Sequence, residues 1–435
     1  MRQTVRPART LRGALTPPGD KSVSHRAAIL NAIASGVAVV ENFQQGADCL
    51  ATLRCLRLLG VDWRWRDGST LEIAGAGRGG LREPEAVLDC RNSGTTMRLL
   101  AGLLSAQPFF SVLTGDRSLR SRPMARVIEP LRAMGAQING RDGDNRPPLA
   151  IRGSRLRGIA YRLPVASAQV KSALILAALY AEGETVIEEP QPTRDHTERM
   201  LAAMGADVAF GEGPAIRVQP LEREISALSL RVPGDISAAA PWLVLAAAHP
   251  DAELRILGVG VNPSRTGILD ALAMMGADVR LEEERSWGAE PVADIVVRSS
   301  RLQGAVIEGE LVPRAIDELP LLALAGCFAE GETVIKDAAE LRVKESDRIA
   351  ATARELRRLG AEVEERADGL CVAGGRPLRG AGVSAHGDHR LAIMLAVAGT
   401  LAQGETVIHK AEAVEVSYPW FWRDLGAVAE SWNRA

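Results

Sequence analysis

Ala203-Met204-Gly205-Ala206-Asp207-Val208 is the stretch on which the fold turns, because it recurs along the chain. Variants of it stand at Leu58-Leu59-Gly60-Val61-Asp62 and at Ala133-Met134-Gly135-Ala136-Gln137-Ile138. Three more are Met274-Met275-Gly276-Ala277-Asp278-Val279, Arg358-Leu359-Gly360-Ala361-Glu362-Val363 and Asp424-Leu425-Gly426-Ala427-Val428. An apolar run that stops at Gly and resumes with a β-branched residue predicts a helix closed by that Gly, then a strand. A second pattern lies upstream: an Ala-rich apolar helix, a Gly turn and a short β-branched strand. It is seen at 174–181 with Gly183-Glu184-Thr185-Val186-Ile187, and at 321–329 with Gly331-Glu332-Thr333-Val334-Ile335. Gly404-Glu405-Thr406-Val407-Ile408 repeats the turn and strand.

Each unit therefore holds two helices and several strands. The period, near 70 residues, is too long for tetratricopeptide or ankyrin arrays. Helices apolar on nearly every face belong inside, with sheets outside. Two Pro-Gly-Asp turns, Pro18-Gly19-Asp20 and Pro233-Gly234-Asp235, each precede a helix start and split the six units into two sets of three. The expectation is an α/β protein in which 18–232 forms one globule and 1–17 joins 233–435 in the other. The crossovers then fall near 17–20 and 230–236.

Composition narrows the function classes. Of the 435 residues, 46% are hydrophobic and 24% charged, with a formal net charge of −2. That balance gives no global reason to expect nucleic acid or an anionic membrane as partner. No apolar run approaches the roughly 20 residues of a membrane helix. The basic stretch Met1 to Arg12 lacks the apolar core of a secretory signal, so a cytoplasmic protein is expected. Five cysteines, with no C-x-x-C spacing, argue against a disulfide framework or zinc ribbon. Lys occurs only at 21, 171, 336, 344 and 410, against 47 Arg. A Lys retained in so biased a chain carries information, because ammonium and guanidinium are not interchangeable where a compact donor is needed.

The polar residues of the units gather at helix starts. Gly19-Asp20-Lys21-Ser22-Val23-Ser24-His25-Arg26 and Asn92-Ser93-Gly94-Thr95-Thr96-Met97-Arg98 both precede apolar helices. So do Ser167-Ala168-Gln169-Val170-Lys171-Ser172, Thr193-Arg194-Asp195-His196 and Ile316-Asp317-Glu318-Leu319-Pro320. Arg342-Val343-Lys344-Glu345-Ser346-Asp347-Arg348 and His386-Gly387-Asp388-His389-Arg390 complete the set. Helix N-termini and cations together favour an anion. Three-fold packing of the units would bring those N-termini to one end of each globule. Two such ends facing each other would line a cleft for a substrate bearing phosphates and carboxylates. Asp317 and Glu345 are the acid–base candidates in that setting.

Eight ordered segments carry a resemblance: PGDKSVSHR (18–26), NSGTTMR (92–98), SRPM (121–124), SAQVKS (167–172), RDHTE (194–198), IDELP (316–320), LRVKESDR (341–348) and GDHR (387–390). On these the chain resembles the EPSP synthase family of enolpyruvyl transferases over nearly its whole length. The resemblance implies two inverse α/β globules, each of three βαβαββ units. It implies transfer of the enolpyruvyl group of phosphoenolpyruvate to the 5-hydroxyl of shikimate 3-phosphate, in aromatic amino acid biosynthesis. By position, Lys21, Ser22, Arg26, Ser167, Ala168, Gln169, Arg194, Asp317 and Lys344 match shikimate 3-phosphate contacts. Lys21, Gly94, Arg122, Gln169, Arg348 and Arg390 match the phosphoenolpyruvate site. Asp317 matches the proposed base for the hydroxyl, Glu345 the proposed proton donor to the enol methylene, and Lys21 a charge-stabilising or shuttling group. No metal or other cofactor is implied, and a monomer is expected.

Two departures stand out. Val416-Ser417-Tyr418-Pro419 lacks a Lys that part of the family places before a C-terminal Phe-Pro, a role that Lys410 is a candidate to fill. His196 stands where the family has Tyr. The competing readings are the sister transferase acting on UDP-N-acetylglucosamine and a non-catalytic anion-binding scaffold. The former commonly carries a reactive Cys in the loop here spanning 114–124, which has none. The co-occurrence of Lys21, Asp317, Lys344 and Glu345 speaks against the latter.

Overall fold

A computed structural model describes residues 1–211, 213 and 215–429. The chain divides into two compact units. The first comprises 19–232 with 287–290, and the second 1–18, 233–286 and 291 onward.

In the first unit the sheets share one strand order. Leu88–Asp89 runs parallel to Phe110–Thr114, which pairs antiparallel with Arg146–Arg152, itself antiparallel to Gln137–Gly140. Ala160–Arg162, Thr185–Glu188, Ala215–Val218 and Val208–Ala209 repeat the order. So do Leu230–Arg231, Val37–Glu41, Leu71–Ala74 and Asp62–Trp65, where the leading strand arrives from the far end of the unit. In the second unit the same order recurs in Val306–Ile307, Glu332–Ile335, Gly369–Ala373 and Glu362–Arg366. The N-terminal segment supplies two strands there. Leu11–Leu15 runs parallel to Ala252–Gly260, and Arg2–Val5 pairs antiparallel with Thr406–His409, which runs parallel to Gly382–Ser384.

Eight helices position the polar residues: α1 (Lys21–Ala32), α2 (Gly94–Ser105), α3 (Ala168–Ala178), α4 (His196–Ala203), α5 (Ile236–Ala248), α6 (Leu319–Phe328), α7 (Arg348–Arg358) and α8 (His389–Leu401). Helices α1, α2 and α3 are buried along almost their whole length, as are α5, α6 and α8. Strands such as Arg146–Arg152 instead alternate between core and solvent. Helices inside and sheets outside follow from this burial, since a helix apolar all round gains only when every face leaves water.

Helices α2 and α3 pack backbone to backbone. A Cβ on Gly102 would lie 2.1 Å from the carbonyl oxygen of Ala173. The starts of the helices are capped by short polar side chains. Asp20 accepts from the N–H of Val23 at 2.9 Å, Ser93 from Thr96 at 3.1 Å and Asp235 from Ser237 at 2.8 Å. Asp347 accepts from Ala350 at 3.0 Å and Asp388 from Arg390 at 2.9 Å. Each cap satisfies an N–H that the helix itself leaves unpaired.

Of the six repeat glycines, 60, 135, 205, 276 and 360 have φ between 78° and 103°, the left-handed stop that the sequence predicts. Gly426 departs from it: it sits inside the helix Phe421–Val428, and no strand follows among the described residues. In the last sheet the N-terminal strand Arg2–Val5 takes the position beside Thr406–His409, so no left-handed turn into a following strand is needed. All five cysteines are free and buried. No helix among the described residues is long and apolar enough to cross a membrane.

Candidate active site

In the first unit, three helix N-termini are tied by side-chain hydrogen bonds. Nδ1 of His25 on α1 lies 2.7 Å from the hydroxyl of Thr52, which lies 2.7 Å from that of Thr96 on α2. Thr96 donates to Ser93, the α2 cap, at 2.7 Å. Nε2 of Gln169, in the first turn of α3, donates to Thr95 at 3.0 Å. The same first turn holds Ala168, with Ser167 as its N-cap. Burial, with Lys21 and Arg26 close by, pushes the His25 imidazole well below its usual value, so the ring is neutral.

The cations cluster at these ends. Lys21 opens α1 and pairs with Asp48 at 3.1 Å. Arg26, one turn on, is 1% exposed. It donates from Nε to Thr197 at 2.6 Å, from Nη1 to the carbonyl of Ser22 at 3.1 Å, and from Nη2 to Ser172 at 2.8 Å. Three of its five N–H groups are thus committed to neutral acceptors. Burial is the main cause lowering the guanidinium to about 10; Glu198 opposes it and Arg194 adds to it. Arg194 itself reaches the Ser22 hydroxyl at 3.4 Å.

At the start of α2, Gly94 lets two guanidinium groups approach the backbone. A Cβ there would lie 2.6 Å from Nη1 of Arg98 and 3.1 Å from Nη1 of Arg122. Arg122 is aimed by Asn92, whose side-chain oxygen accepts from Nη2 at 2.5 Å while its amide donates to Asp116 at 2.6 Å. The buried side-chain oxygen of Gln169 has no hydrogen-bond partner among the described residues. A buried polar atom left open beside helix N-termini and cations is the signature of a polar ligand.

In the second unit, one guanidinium organises the carboxylates. Arg348, first residue of α7 and 1% exposed, donates to Asp317 at 3.1 Å, to Glu345 at 2.6 Å and to Asp388 at 2.8 and 3.3 Å. Burial works against its charge, but Asp388, then Glu345 and Asp317, outweigh that and hold it above its ordinary value. Asp388 is fully buried; it caps α8 and also accepts from Ser346 at 3.0 Å. Arg390, in the first turn of α8, donates to the carbonyl of Ser237 at 3.2 Å and stands 4.0 Å from Asp317. Lys344 stands 3.7 Å from Glu340. Burial draws its ammonium below the ordinary value, against the pull of Glu340 and Asp317. Asp317, Glu345, Arg348 and Arg390 are therefore one connected cluster, with Lys344 beside it in sequence.

A family described as EPSP synthase (3-phosphoshikimate 1-carboxyvinyltransferase) matches residues 5–425. The chain belongs to that family. It is 57% identical over 433 residues to a protein of Roseiflexus castenholzii named 3-phosphoshikimate 1-carboxyvinyltransferase, covering 99% of this chain and 100% of the other. A protein of the same name from Gloeobacter violaceus is 55% identical, over 98% of this chain and 99% of its own. The solved EPSP synthase of Acinetobacter baumannii superposes with a TM-score of 0.88 at 45% identity, over 98% of both chains. The two-globule α/β fold and the enolpyruvyl-transferring class follow from this membership, and the UDP-N-acetylglucosamine alternative is not favoured.

Several hydrogen-bond partners in these two clusters are not evident from the motifs. Asp388 is one residue of the GDHR motif in sequence, yet in the fold it is the buried counter-charge of Arg348 and the cap that presents Arg390. Glu318, 1% exposed, accepts from the Ser237 hydroxyl, and Arg265 donates to that hydroxyl at 2.8 Å. Burial, with Asp317 adjacent, raises the Glu318 carboxyl. Asp48 and Thr52 lie outside every motif, Ser172 and Thr197 lie within two of them, and all four become partners only through packing. His196 is a buried residue whose Nδ1 lies 2.8 Å from Glu290. Tyr418 fills the core against Trp242 and Phe421 and donates to Asp424 at 2.7 Å. Lys410 is exposed, one residue past the strand Thr406–His409. That strand end lies near the start of α8, since the His409 carbonyl accepts from Ala385 at 3.0 Å.

Proposed function

We propose that this chain transfers the enolpyruvyl group of phosphoenolpyruvate to the 5-hydroxyl of shikimate 3-phosphate, releasing phosphate, with the residues above in the following roles. Lys21, Ser22, Arg26, Ser167, Ala168, Gln169, Arg194 and Lys344 bind shikimate 3-phosphate. Lys21, Gly94, Arg122, Gln169, Arg348 and Arg390 bind phosphoenolpyruvate, the planar forks of the arginines matching carboxylate and phosphate. Asp317 takes the proton of the 5-hydroxyl as its oxygen attacks the central carbon of phosphoenolpyruvate. Glu345 delivers a proton to the methylene carbon. The tetrahedral adduct then loses a proton from the resulting methyl group as the C–O bond to phosphate breaks, restoring the double bond.

The observation that carries this reading is that Asp317 and Glu345 share the buried guanidinium of Arg348. Acid and base must each act in two opposite senses, so both carboxyl groups need to exchange partners as charge moves. A substrate carboxylate arriving at Arg348 competes for the N–H groups that Asp317 and Glu345 hold in the free chain. That competition releases both carboxyl groups for proton transfer. Lys410 is proposed as the cation supplied in place of the Lys missing before Tyr418.

The test is phosphate release from phosphoenolpyruvate with shikimate 3-phosphate and, separately, UDP-N-acetylglucosamine as acceptor. Release with the first acceptor alone is expected. Release only with the second, or with neither, overturns the reading.

A further inference from the structure

We propose that Lys171 is a positioning residue for the shikimate 3-phosphate half of the site, acting through Glu189 and Glu198 on the segment that carries Arg194 and Thr197. The inference rests on the proposed assignment of Arg26 and Arg194 as shikimate 3-phosphate contacts and assigns a role to a residue outside that set.

The side chain of Lys171 is 1% exposed, as is that of Glu198, and Glu189 is 6% exposed. Its ammonium lies 2.8 Å from Glu198 Oε1, 2.9 Å from Glu189 Oε2 and 3.3 Å from the carbonyl of Thr193. The ammonium thus hydrogen-bonds Glu189 and the Thr193 carbonyl and forms an ion pair with Glu198, so three oxygens converge on one nitrogen. Glu189 also accepts from the Thr193 hydroxyl through its other oxygen. The link between the strand Thr185–Glu188 and α4 is thus closed around one buried cation, and Arg194 is the next residue after Thr193.

The neighbouring residue completes the grip. The Ser172 hydroxyl is 2.8 Å from that of Thr197, and both accept from Arg26, at 2.8 and 2.6 Å. Two consecutive residues of α3, Lys171 and Ser172, therefore hold two consecutive residues of α4, Glu198 and Thr197. One side of this ladder fixes the loop bearing Arg194, and the other fixes the guanidinium of Arg26. An apolar replacement of a buried ion cluster is often as stable as the cluster itself, so stability alone does not account for it. Arg fills 47 of the 52 basic positions, yet Lys stands here. A planar fork cannot converge on three acceptors around a single nitrogen as an ammonium does.

The experiment compares Glu189→Gln, Lys171→Arg, Arg194→Ala and the double variant Glu189→Gln/Arg194→Ala in the full chain, by initial rates with each substrate varied and by thermal midpoint. Glu189→Gln leaves the Lys171–Glu198 pair in place, so it keeps the test sound if Lys171→Arg fails to fold. The expected result is a rise of about tenfold or more in KM for shikimate 3-phosphate in each single variant. KM for phosphoenolpyruvate and kcat should stay within about threefold. In the double variant, Glu189→Gln should add little to Arg194→Ala, because both act through one guanidinium. Three results overturn the proposal: an unchanged KM for shikimate 3-phosphate in Glu189→Gln, full additivity in the double variant, or a uniform loss of all parameters with the folded fraction. If Arg194→Ala itself leaves that KM unchanged, the assignment of Arg194 fails instead.

Discussion

Replacing Gly94 by Ala probes whether the backbone at the start of α2 is where a carboxylate or phosphate meets Arg122. The added methyl would lie 3.1 Å from Nη1 of Arg122 and 2.6 Å from Nη1 of Arg98. Ordinary contact is about 3.5 Å. Arg122 must therefore retreat by about 0.4 Å and Arg98 by about 1 Å, and the space above the first N–H groups of α2 is narrowed. Both guanidinium ends are flexible, so the fold accommodates the change. Ala is the better helix former, by up to about 1 kcal/mol, and Gly94 does not have a positive φ, so the thermal midpoint should hold or rise. A hydrogen bond to a charged group contributes about 1.5–3 kcal/mol. Displacing one without abolishing it should cost about 1–2 kcal/mol, or about 5- to 30-fold in KM for phosphoenolpyruvate. KM for shikimate 3-phosphate should be unchanged. The assay is initial-rate phosphate release at saturating shikimate 3-phosphate. A KM for phosphoenolpyruvate within twofold of the parent, in a chain where Arg122→Ala does raise it, would refute the close-approach argument.

Further expectations follow from the same geometry. Asp317→Ala should lower kcat by about 10²-fold or more, the scale of a general acid–base group, with little change in binding of shikimate 3-phosphate; near-normal turnover removes Asp317 from the mechanism. Lys21→Arg should keep the charge and lose most activity, because the longer fork cannot keep the compact contact with Asp48 while meeting the substrate; full activity would show that charge alone matters. Lys344, whose ammonium is depressed by burial, sheds its proton at lower pH than an ordinary lysine, and a bound phosphate favours the charged form. Binding of shikimate 3-phosphate on the alkaline side should therefore take up a proton, seen as a buffer-dependent heat in calorimetry; no uptake at any pH up to about 10 argues against the contact. By the same sign, the charged ammonium costs stability below its depressed value, so Lys344→Met should not lower the thermal midpoint. Gly102→Ala places a methyl 2.1 Å from the Ala173 carbonyl and should lower the midpoint through overpacking of about 1–3 kcal/mol; an unchanged midpoint would mean that α2 and α3 separate freely.

While the enolpyruvyl-transferring class came from the family resemblance, the period, the helix–Gly–strand grammar and the anion-binding character of the helix starts are legible in the residues alone. These are local properties: an apolar run with a glycine stop reads the same in any context, and helix starts rich in Lys, Arg, Ser and Gly announce an anion wherever they end up. The left-handed φ values at Gly60, Gly135, Gly205, Gly276 and Gly360 follow from that grammar. Gly426 does not, because whether a helix needs a left-handed exit depends on whether a strand follows, and in the last sheet that strand comes from the N-terminus. Pairings across long separations were likewise out of reach. Nothing local in Leu230–Arg231 says that it leads the sheet of Val37–Glu41, and nothing in Leu11–Leu15 points to Ala252–Gly260.

The site divides the same way. Motifs named Arg348, Asp317 and Glu345 separately, but only the tertiary structure made Asp388 the buried anion that holds Arg348. A capping Asp and a charge-neutralising Asp look alike in sequence. Lys171 stood out by its rarity among arginines, yet its partners Glu189, Thr193 and Glu198 were set by how α3 packs on α4. A charge in water needs no particular partner, whereas a buried charge must find one, and which one is decided by packing alone.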